Sequence, residues 1–386
     1  MSLSIGIVGL PNIGKSTLFN ALTKAQNAQA ANYPFCTIEP NKATVAVPDY
    51  RVDALSAKVS PKKTIYASVD FIDIAGLVLG ASKGEGLGNQ FLANIRECAA
   101  IVHVVRCFED DNITHVDGAV DPLRDAETIE TELLLADMQS VEKRLEKTRK
   151  AAKGDKDASA AACILEKLFA WLDAGKSASA FVLPDNELFL TTWREMGLLT
   201  AKPVIYCANI DESSLSGGNV HTNALREVAS QRNAGFTRVN AKLEEELQGL
   251  PEDEQKELVL SYNIEESGLV GIIRAGYATL GLCSYFTAGP DEVRAWTIYK
   301  GWKAPQAAGV IHTDFERGFI RAEVISYDDY MSHTGEAACR ADGVLRTEGR
   351  EYVVRDGDVI HFLFNMEAKE KRARRGGHPV CLRVWP

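Results

Sequence analysis

The sequence predicts an α/β protein with a mostly parallel sheet, an inserted helical arm and a small C-terminal domain. Over roughly the first 120 residues, runs rich in β-branched residues alternate with helix-like segments, as they do in buried parallel sheets. Residues 123–197 instead show helical periodicity among many charges. From about residue 284, apolar and polar positions alternate between Gly- and Asp-rich turns, which indicates an α+β or β-grasp domain.

Local patterns support each part of this organisation. The parallel sheet rests on strand candidates at residues 4–8, 69–74, 100–105, 203–208 and, more weakly, 235–239. In the arm, an apolar seam over residues 134–148, a polar turn and a second apolar stripe predict two antiparallel helices. These helices either form a partner-binding arm or simply have solvated charged faces. The C-terminal domain rests on strand-like residues 293–298, 352–354 and 359–364.

Length and composition allow two or three domains and argue against several classes of protein. The chain has 386 residues, of which 46% are hydrophobic and 25% are charged. Its eight cysteines are scattered without C-x-x-C pairs, which argues against a zinc site or a disulfide scaffold and for a reducing cytosol. No apolar run reaches the length of a membrane span and no signal peptide is evident, so we expect a cytoplasmic protein without a membrane partner. A net charge of −10 argues against general coating of DNA.

Residues 9–16 carry the pattern G-x-x-x-x-G-K-[ST], whose backbone N–H groups wrap the phosphates of a nucleoside triphosphate. A strand candidate precedes this loop and an apolar-faced helix follows it, so the positive end of the helix dipole points at the phosphates. The alternative is a Gly-containing turn that binds nothing. It would leave a lysine at a buried turn without a partner, which is costly. The pattern and its context therefore predict a phosphate-binding loop.

Two further segments predict a magnesium-dependent triphosphate site. Asp73 and Gly76 lie in a D-x-x-G pattern after a buried strand, like the acidic residue that supports Mg²⁺ and the glycine that senses the γ-phosphate in GTPase-like sites. Thr37 lies in a Pro-bounded loop and is a candidate Mg²⁺ ligand. Each signal is weak alone, but their order and their distances from Lys15 make the set informative.

The segment after residues 203–208 indicates which nucleotide base the site prefers. GTPases use N-K-x-D there, and the aspartate accepts two hydrogen bonds from guanine. Residues 209–212 read Asn-Ile-Asp-Glu, so an apolar residue replaces the lysine and a glutamate, one methylene too long, replaces the aspartate. Because a misplaced carboxylate removes the preference for guanine, we predict ATP over GTP. An ordinary turn at a strand end, unrelated to the base, is the alternative.

The position that orients the attacking water in many small GTPases is also unusual. Leu77 stands where many small GTPases carry a glutamine, so hydrolysis needs another group, a monovalent cation or a docked partner. Asn12 can present an oxygen to K⁺ near the β- and γ-phosphates. His115 lies in a polar loop, where it either positions water or is an ordinary surface histidine.

Together these segments resemble the YchF-type Obg-like ATPases, a branch of the translation-factor-related (TRAFAC-class) P-loop GTPases. The matching segments are residues 9–17, 32–40, 73–78, 84–89, 209–212, 286–289, 294–297, 304–309 and 312–316. The resemblance covers residues 1–366. It implies a P-loop G-domain at 1–122 and 198–283, a coiled-coil arm at 123–197 and a β-grasp-like TGS domain at 284–366. The basic tail at 367–386 departs from the family pattern and is assigned no function.

The resemblance also implies an activity and a set of site residues. The family is similar in hydrolysing ATP in preference to GTP with Mg²⁺ and K⁺, in associating with ribosomes, and in its link to translation and stress responses. By position, the phosphates are held by Asn12, Ile13, Gly14, Lys15, Ser16 and Thr17. Magnesium is held by Ser16, Thr37 and Asp73, and K⁺ by Asn12. The adenine is flanked by Asn209, Ile210 and Glu212, and hydrolysis involves Lys15, Gly76 and His115.

Three functions fit these observations. The first is a slow, ribosome-associated ATPase that switches conformation with its nucleotide. The second is a GTP-dependent ribosome assembly factor, and the third is a scaffold that binds nucleotide without hydrolysing it. Contact with ribosomal RNA would use basic residues of the arm such as Lys143, Arg144 and Lys147, although salt bridges on a solvated surface explain these residues equally well.

Overall fold

The structure, a computed structural model, describes residues 3–29, 41–74, 87–110 and 119–365. The strands are β1 (Ser4–Val8), β2 (Lys42–Ala46), β3 (Lys63–Ile65), β4 (Ser68–Asp73), β5 (Ala100–Arg106), β6 (Val204–Asn209), β7 (Gly235–Val239), β8 (Leu282–Ala288), β9 (Glu292–Tyr299), β10 (Phe319–Ser326), β11 (Arg346–Glu348) and β12 (Asp358–Phe364). The helices are α1 (Lys15–Gln29), α2 (Tyr50–Val59), α3 (Leu87–Glu97), α4 (Pro122–Ala151), α5 (Lys156–Asp173), α6 (Glu187–Met196), α7 (Val220–Gln231), α8 (Ala241–Leu247), α9 (Glu252–Ser261), α10 (Gly268–Thr279), α11 (Ala304–Ile311), α12 (Thr313–Arg317), α13 (Tyr327–Ser332) and α14 (Glu336–Ala341).

The described residues divide into two compact units. The first contains residues 3–27, 41–44, 70–74, 87–110 and 119–279, and the second contains residues 28–29, 45–69 and 280–365. Within the described part of the chain, no helix is long and apolar enough to cross a membrane.

The first unit is built on a sheet with the order β2-β4-β1-β5-β6-β7. The pairs β1–β4, β1–β5, β5–β6 and β6–β7 are parallel, as the sequence predicts. Every residue of β1 and of β5 is buried, which explains their continuous apolar sequences. Because the carboxyl ends of parallel strands meet at one edge, the loops after these strands gather there, and that edge is where ligands bind in open α/β sheets.

The helical arm between β5 and β6 begins with a capped helix. Asp121 accepts hydrogen bonds from the backbone N–H groups of Leu123 and Arg124, and Pro122 occupies the first turn, where no N–H is needed. After a short polar turn, α5 packs along α4, which confirms the predicted helical pair. Their shared core is apolar and is formed mainly by Val141, Leu145, Leu165, Leu168 and Leu172.

A buried carboxylate fixes the base of this arm. Asp137 on α4 has no solvent exposure and accepts hydrogen bonds from the backbone N–H groups of Leu199 and Thr200 and from the Thr200 hydroxyl. These bonds offset the desolvation that raises the pKa of Asp137. The segment that leads into β6 is therefore tied to the long helix.

The second unit contains a mixed sheet with the order β11-β10-β12-β8-β9-β3. The pair β8–β9 is antiparallel, β12–β8 is parallel, and β10 pairs antiparallel with both β11 and β12. One apolar core includes Tyr285, Trp296, Phe319 and Phe362 together with alanines of α11. This α+β arrangement agrees with the predicted β-grasp-like fold.

Two expectations from sequence differ from the structure. Residues 45–69 fall inside the predicted first domain, but they belong to the second unit, because β3 pairs in parallel with β9. This pairing joins positions more than 200 residues apart, and no local pattern reveals it. Residues 352–354, predicted as strand, form only an isolated bridge between Val353 and Lys303. Val353 is exposed, so the apolar triplet does not mark a buried strand.

Candidate nucleotide-binding site

The loop between β1 and α1 has a backbone that depends on its residue types. Gly9, Asn12 and Gly14 have φ values of 155°, 61° and 93°. Glycine adopts such values without strain, and asparagine tolerates the left-handed region better than most residues. A Cβ on Gly14 would lie 2.4 Å from Nδ2 of Asn209, so glycine is also required for space.

Lys15 is held against this loop. Its Nζ donates hydrogen bonds to the carbonyl oxygens of Gly9 at 2.8 Å and Leu10 at 2.7 Å, and the residue is 8% exposed. Burial lowers the pKa of Lys15 to about 8, while the nearby Asp73 carboxylate acts in the opposite direction. Burial likewise raises the pKa of Asp73, and Lys15 opposes that shift. The Asp73 carboxylate thus favours the charged form of Lys15.

Asn209 ties three loops together at the edge of the sheet. It is 4% exposed; its Nδ2 donates to the carbonyl oxygen of Ile13 at 2.8 Å, and its Oδ1 accepts from the backbone N–H of Ala241 at 3.1 Å. The sequence predicts that Asn209 flanks the base. The structure shows that its side chain joins the phosphate loop to the loop after β7.

The other residues of the predicted base segment have distinct environments. Oδ1 of Asp211 accepts hydrogen bonds from the Ser214 N–H and the Ser213 hydroxyl. Ile210 is 3% exposed and packs in an apolar cluster. Glu212 is exposed, and its Oε2 lies 3.4 Å from the hydroxyl of Tyr262, which donates to it. The carboxylate of Asp211, one residue before the position that reads guanine in GTPases, thus caps the local turn.

These segments line one cavity of about 1040 Å³ at the carboxyl edge of the sheet. The predicted residues on its wall are Asn12, Gly14, Lys15, Ser16, Thr17, Asn209, Ile210 and Glu212. Ile13 is buried behind the wall and contributes its carbonyl to Asn209. The predicted residues Thr37, Gly76 and His115, and also Leu77, lie outside the described part of the chain.

The structure adds wall residues that sequence reasoning missed. They include Phe108, Asp110, Asn240, Ala241, Lys242 and Glu245. Buried Arg106, at the end of β5, donates hydrogen bonds to the carbonyl oxygens of Phe108 and Asp110 and lies over the Phe108 ring. No motif marks these residues, but their places directly after β5 and β7 would have identified them, because those strand ends lie beside the phosphate loop.

The donor set fits Mg²⁺. Ser16 is exposed at the N-terminus of α1, and Asp73 ends β4, which lies beside β1 in the sheet. Hydroxyl and carboxylate oxygens are the hard ligands that Mg²⁺ prefers, and this ion commonly completes its shell with water and phosphate oxygens. No cluster of three or more His, Cys, Asp or Glu side chains that could hold a metal is found within the described residues.

A glycine-bounded loop between β1 and a helix, an aspartate after β4 and an asparagine after β6 define the class of protein as a P-loop NTPase with the sheet order of the GTPases. Comparisons with known proteins agree. Residues 4–151 match the family model MMR_HSR1, described as a 50S ribosome-binding GTPase. Residues 282–365 match the model YchF-GTPase_C, which is described as a protein of unknown function.

Individual relatives extend the match over nearly the whole chain. It is 52% identical to the "Ribosome-binding ATPase YchF" of Bacillus subtilis, over 95% of this chain and 100% of that protein. It is 46% identical to "Obg-like ATPase 1" of Gallus gallus, over 96% of this chain and 94% of that protein. The solved structure of the Schizosaccharomyces pombe YchF GTPase superposes with a TM-score of 0.84 at 42% identity, covering 93% of this chain and 97% of that one. The chain belongs to the YchF family, and the resemblance drawn from its motifs is confirmed.

Proposed function

We propose that this chain is a ribosome-associated, Mg²⁺-dependent ATPase that hydrolyses ATP in preference to GTP and switches conformation with its nucleotide. Bacterial relatives at 52% identity are named ribosome-binding ATPases, which supports both the activity and the partner. A protein that works on ribosomes in this way acts in the cytoplasm. The S. pombe structure is titled a GTPase, so the base preference needs its own argument from the site.

The observation that carries the preference for ATP is the segment after β6. Guanine recognition needs a carboxylate fixed to accept two hydrogen bonds from the base. Asp211 Oδ1 is occupied by Ser214 and Ser213, and Glu212 at the reading position is a longer side chain placed near Tyr262. Ile210 packs into the core, so the position that holds the lysine in GTPases offers no stem to pack on the base. Residues 210–212 thus do not provide the groups that give GTPases their preference for guanine.

Nucleotide competition tests this argument. The wild-type chain should bind GTP no more tightly than ATP, because the paired hydrogen bonds that favour guanine are missing. Glu212→Asp should raise GTP affinity relative to ATP. Glu245→Asp, on the same cavity wall, is the matched control and should leave the ratio unchanged. Tighter binding of GTP by the wild type would contradict the proposal.

The residues of the phosphate loop account for binding and charge. The Lys15 ammonium is already aimed at the loop carbonyls of Gly9 and Leu10, and a triphosphate offers stronger acceptors beside them. The N-terminus of α1 adds its dipole and free N–H groups. Bound Mg²⁺ supplies charge neutralisation at the phosphate oxygens. Ser16 and Asp73 would hold it, with Thr37 as a further ligand.

Potassium dependence follows from Asn12 as a further part of the proposal. Asn12 is exposed on the cavity wall in the left-handed conformation, with its amide oxygen available to a cation. Asn12→Gly keeps that backbone conformation and removes the amide. The variant should lose any K⁺ stimulation of hydrolysis over Na⁺ while still binding ATP. A wild type equally active in both salts would refute the role of K⁺.

Ribosome contact has candidates on the arm. Arg144 and Arg149 are paired with Glu195 and Glu166, which favours the salt-bridge explanation for these two arginines. Lys143 and Lys147 make no ion pair within the described residues, and they remain candidates for ribosomal RNA. Replacing both by glutamate should reduce co-sedimentation with ribosomes if the arm docks there, whereas replacing Lys62 of the second unit should not. Through such docking the proposal extends to a role in translation and stress response, as the family resemblance implies.

A further inference from the structure

A second cavity of about 540 Å³ lies in the first unit beside the edge strand β7. Its walls come from β7, from α7, and from the segment that enters α10. Its volume lies in the range of pockets that hold small molecules. Ile210 and Asn240 line both this cavity and the nucleotide cavity, so the two are neighbours.

Two arginines on the wall are the notable feature of this cavity. Arg226 comes from α7 and Arg238 from β7, and neither side chain makes a hydrogen bond or an ion pair with any described residue. The Arg226 guanidinium carbon lies 5.0 Å from the centroid of the Phe236 ring, which holds that side chain along the wall. Nη1 of Arg238 lies 3.1 Å from the position that a Cβ of Gly218 would occupy.

Neither arginine is ion-paired with a carboxylate among the described residues. Burial lowers the pKa of Arg238, and the positive charge of Arg226 lowers it further, so the two guanidinium groups repel each other. Of the carboxylates on the wall, Glu266 is already paired with Arg274. Glu265 is exposed and makes no ion pair in the described structure. An anion between the arginines would relieve the repulsion and accept their unused N–H donors.

The other side chains on the cavity wall indicate which kind of organic group carries the anion. Apolar side chains of Leu215, Ile264 and Phe236 adjoin the polar groups of Ser267 and Asn263. This mixture suits a small organic body bearing hydroxyl groups. We propose that this cavity binds a small organic phosphate, with its phosphate group held by Arg226 and Arg238. This site is separate from the phosphate loop.

The test measures binding to the full chain while the first cavity is saturated with Mg²⁺ and a non-hydrolysable ATP analogue. Ribose 5-phosphate and inorganic phosphate are titrated by calorimetry, and ribose is the unphosphorylated control. Arg238→Gln and Arg226→Gln should each weaken phosphate binding about tenfold or more, the effect of one lost charge-assisted contact. Arg194→Gln, which replaces an exposed arginine without an ion pair in the described structure, should leave binding unchanged.

The outcomes separate the sources of the ligand. Binding of ribose 5-phosphate that the two cavity variants weaken supports the proposal. Binding of inorganic phosphate but not of ribose 5-phosphate, weakened by the same variants, would support an anion site but overturn the proposal that the ligand is an organic phosphate. Absence of binding by both phosphates, equal binding of ribose, or binding that neither variant changes would overturn the site. Because hydrolysis is not measured, failure here leaves the ATPase proposal standing.

Discussion

Replacing Asn209 by alanine should weaken both the fold and the nucleotide site. The substitution removes two hydrogen bonds, to the Ile13 carbonyl and from the Ala241 N–H, each with a net worth of about 1 kcal/mol. Ile13 and Ala241 are both 2% exposed, so water does not replace the lost partner. Leaving these buried groups unpaired brings the expected total to about 2 to 4 kcal/mol of unfolding free energy. The phosphate loop also loses its anchor, and ATP affinity should fall about tenfold or more.

Urea unfolding and calorimetric ATP titration measure the two effects. Asn20→Ala is the matched control, because Asn20 is exposed and, among the described residues, its amide donates only one long hydrogen bond, of 3.4 Å, to Glu245. That control should change stability by no more than about 0.5 kcal/mol. If Asn209→Ala behaved like Asn20→Ala in both measurements, Asn209 would not anchor the loop.

Three further predictions concern stability, each measured by urea unfolding. Burial raises the pKa of Glu244 from its ordinary value of 4.5 to about 6, so its contribution to stability is full below pH 4.5 and is lost as pH rises through 6. Glu244→Gln should remove this dependence of about 2 kcal/mol, and an unchanged pH profile would contradict it. Leu165→Ala in the arm core should lower the free energy of unfolding by about 2–5 kcal/mol. Arg149→Ala, which breaks the exposed pair with Glu166, should lower it by less than about 1 kcal/mol. Equal losses would refute the apolar origin of arm stability. Asp137→Ala should cost about 3 kcal/mol or more, because the N–H groups of residues 199 and 200 lose their acceptor, and a neutral result would exclude this role.

The parallel core of the first unit was predictable because its signals are local. Residues 4–8 form β1 as predicted, and β5 and β6 differ from expectation by about one residue. Strands buried on both faces are continuous apolar runs, which a single sequence displays directly. The helical pair of the arm was predictable for the same reason, since its seam follows helical spacing.

The elements that were missed depend on distant partners. The strand β3 has three residues, Lys-Thr-Ile, with no buried position, and only its pairing with β9 makes it a strand. Conversely, the predicted strand at 352–354 lacks a partner strand and remains a bridge. The strand propensity of a residue reflects how well its side chain fits a half-buried sheet surface. Prediction from propensity therefore fails where distant segments build that surface.

The residues of the candidate site likewise divide into those with a local sequence signal and those without one. The phosphate loop, Asp73 and the segment after β6 were found from motifs, and the structure brings the loop and that segment onto one cavity wall. Phe108 and Lys242 were missed because no fixed pattern surrounds them. The bridging role of Asn209 was also missed, since a hydrogen bond to Ile13 across 196 positions has no sequence signal.

Single-turnover release of γ-phosphate tests the central claim most directly. The full chain is mixed with ATP or GTP in the presence of Mg²⁺ and K⁺, with and without ribosomes. The account predicts that ATP is cleaved faster than GTP, that ribosomes change the rate, and that Lys15→Ala abolishes cleavage. Faster cleavage of GTP, or no cleavage of ATP under any of these conditions, would contradict it.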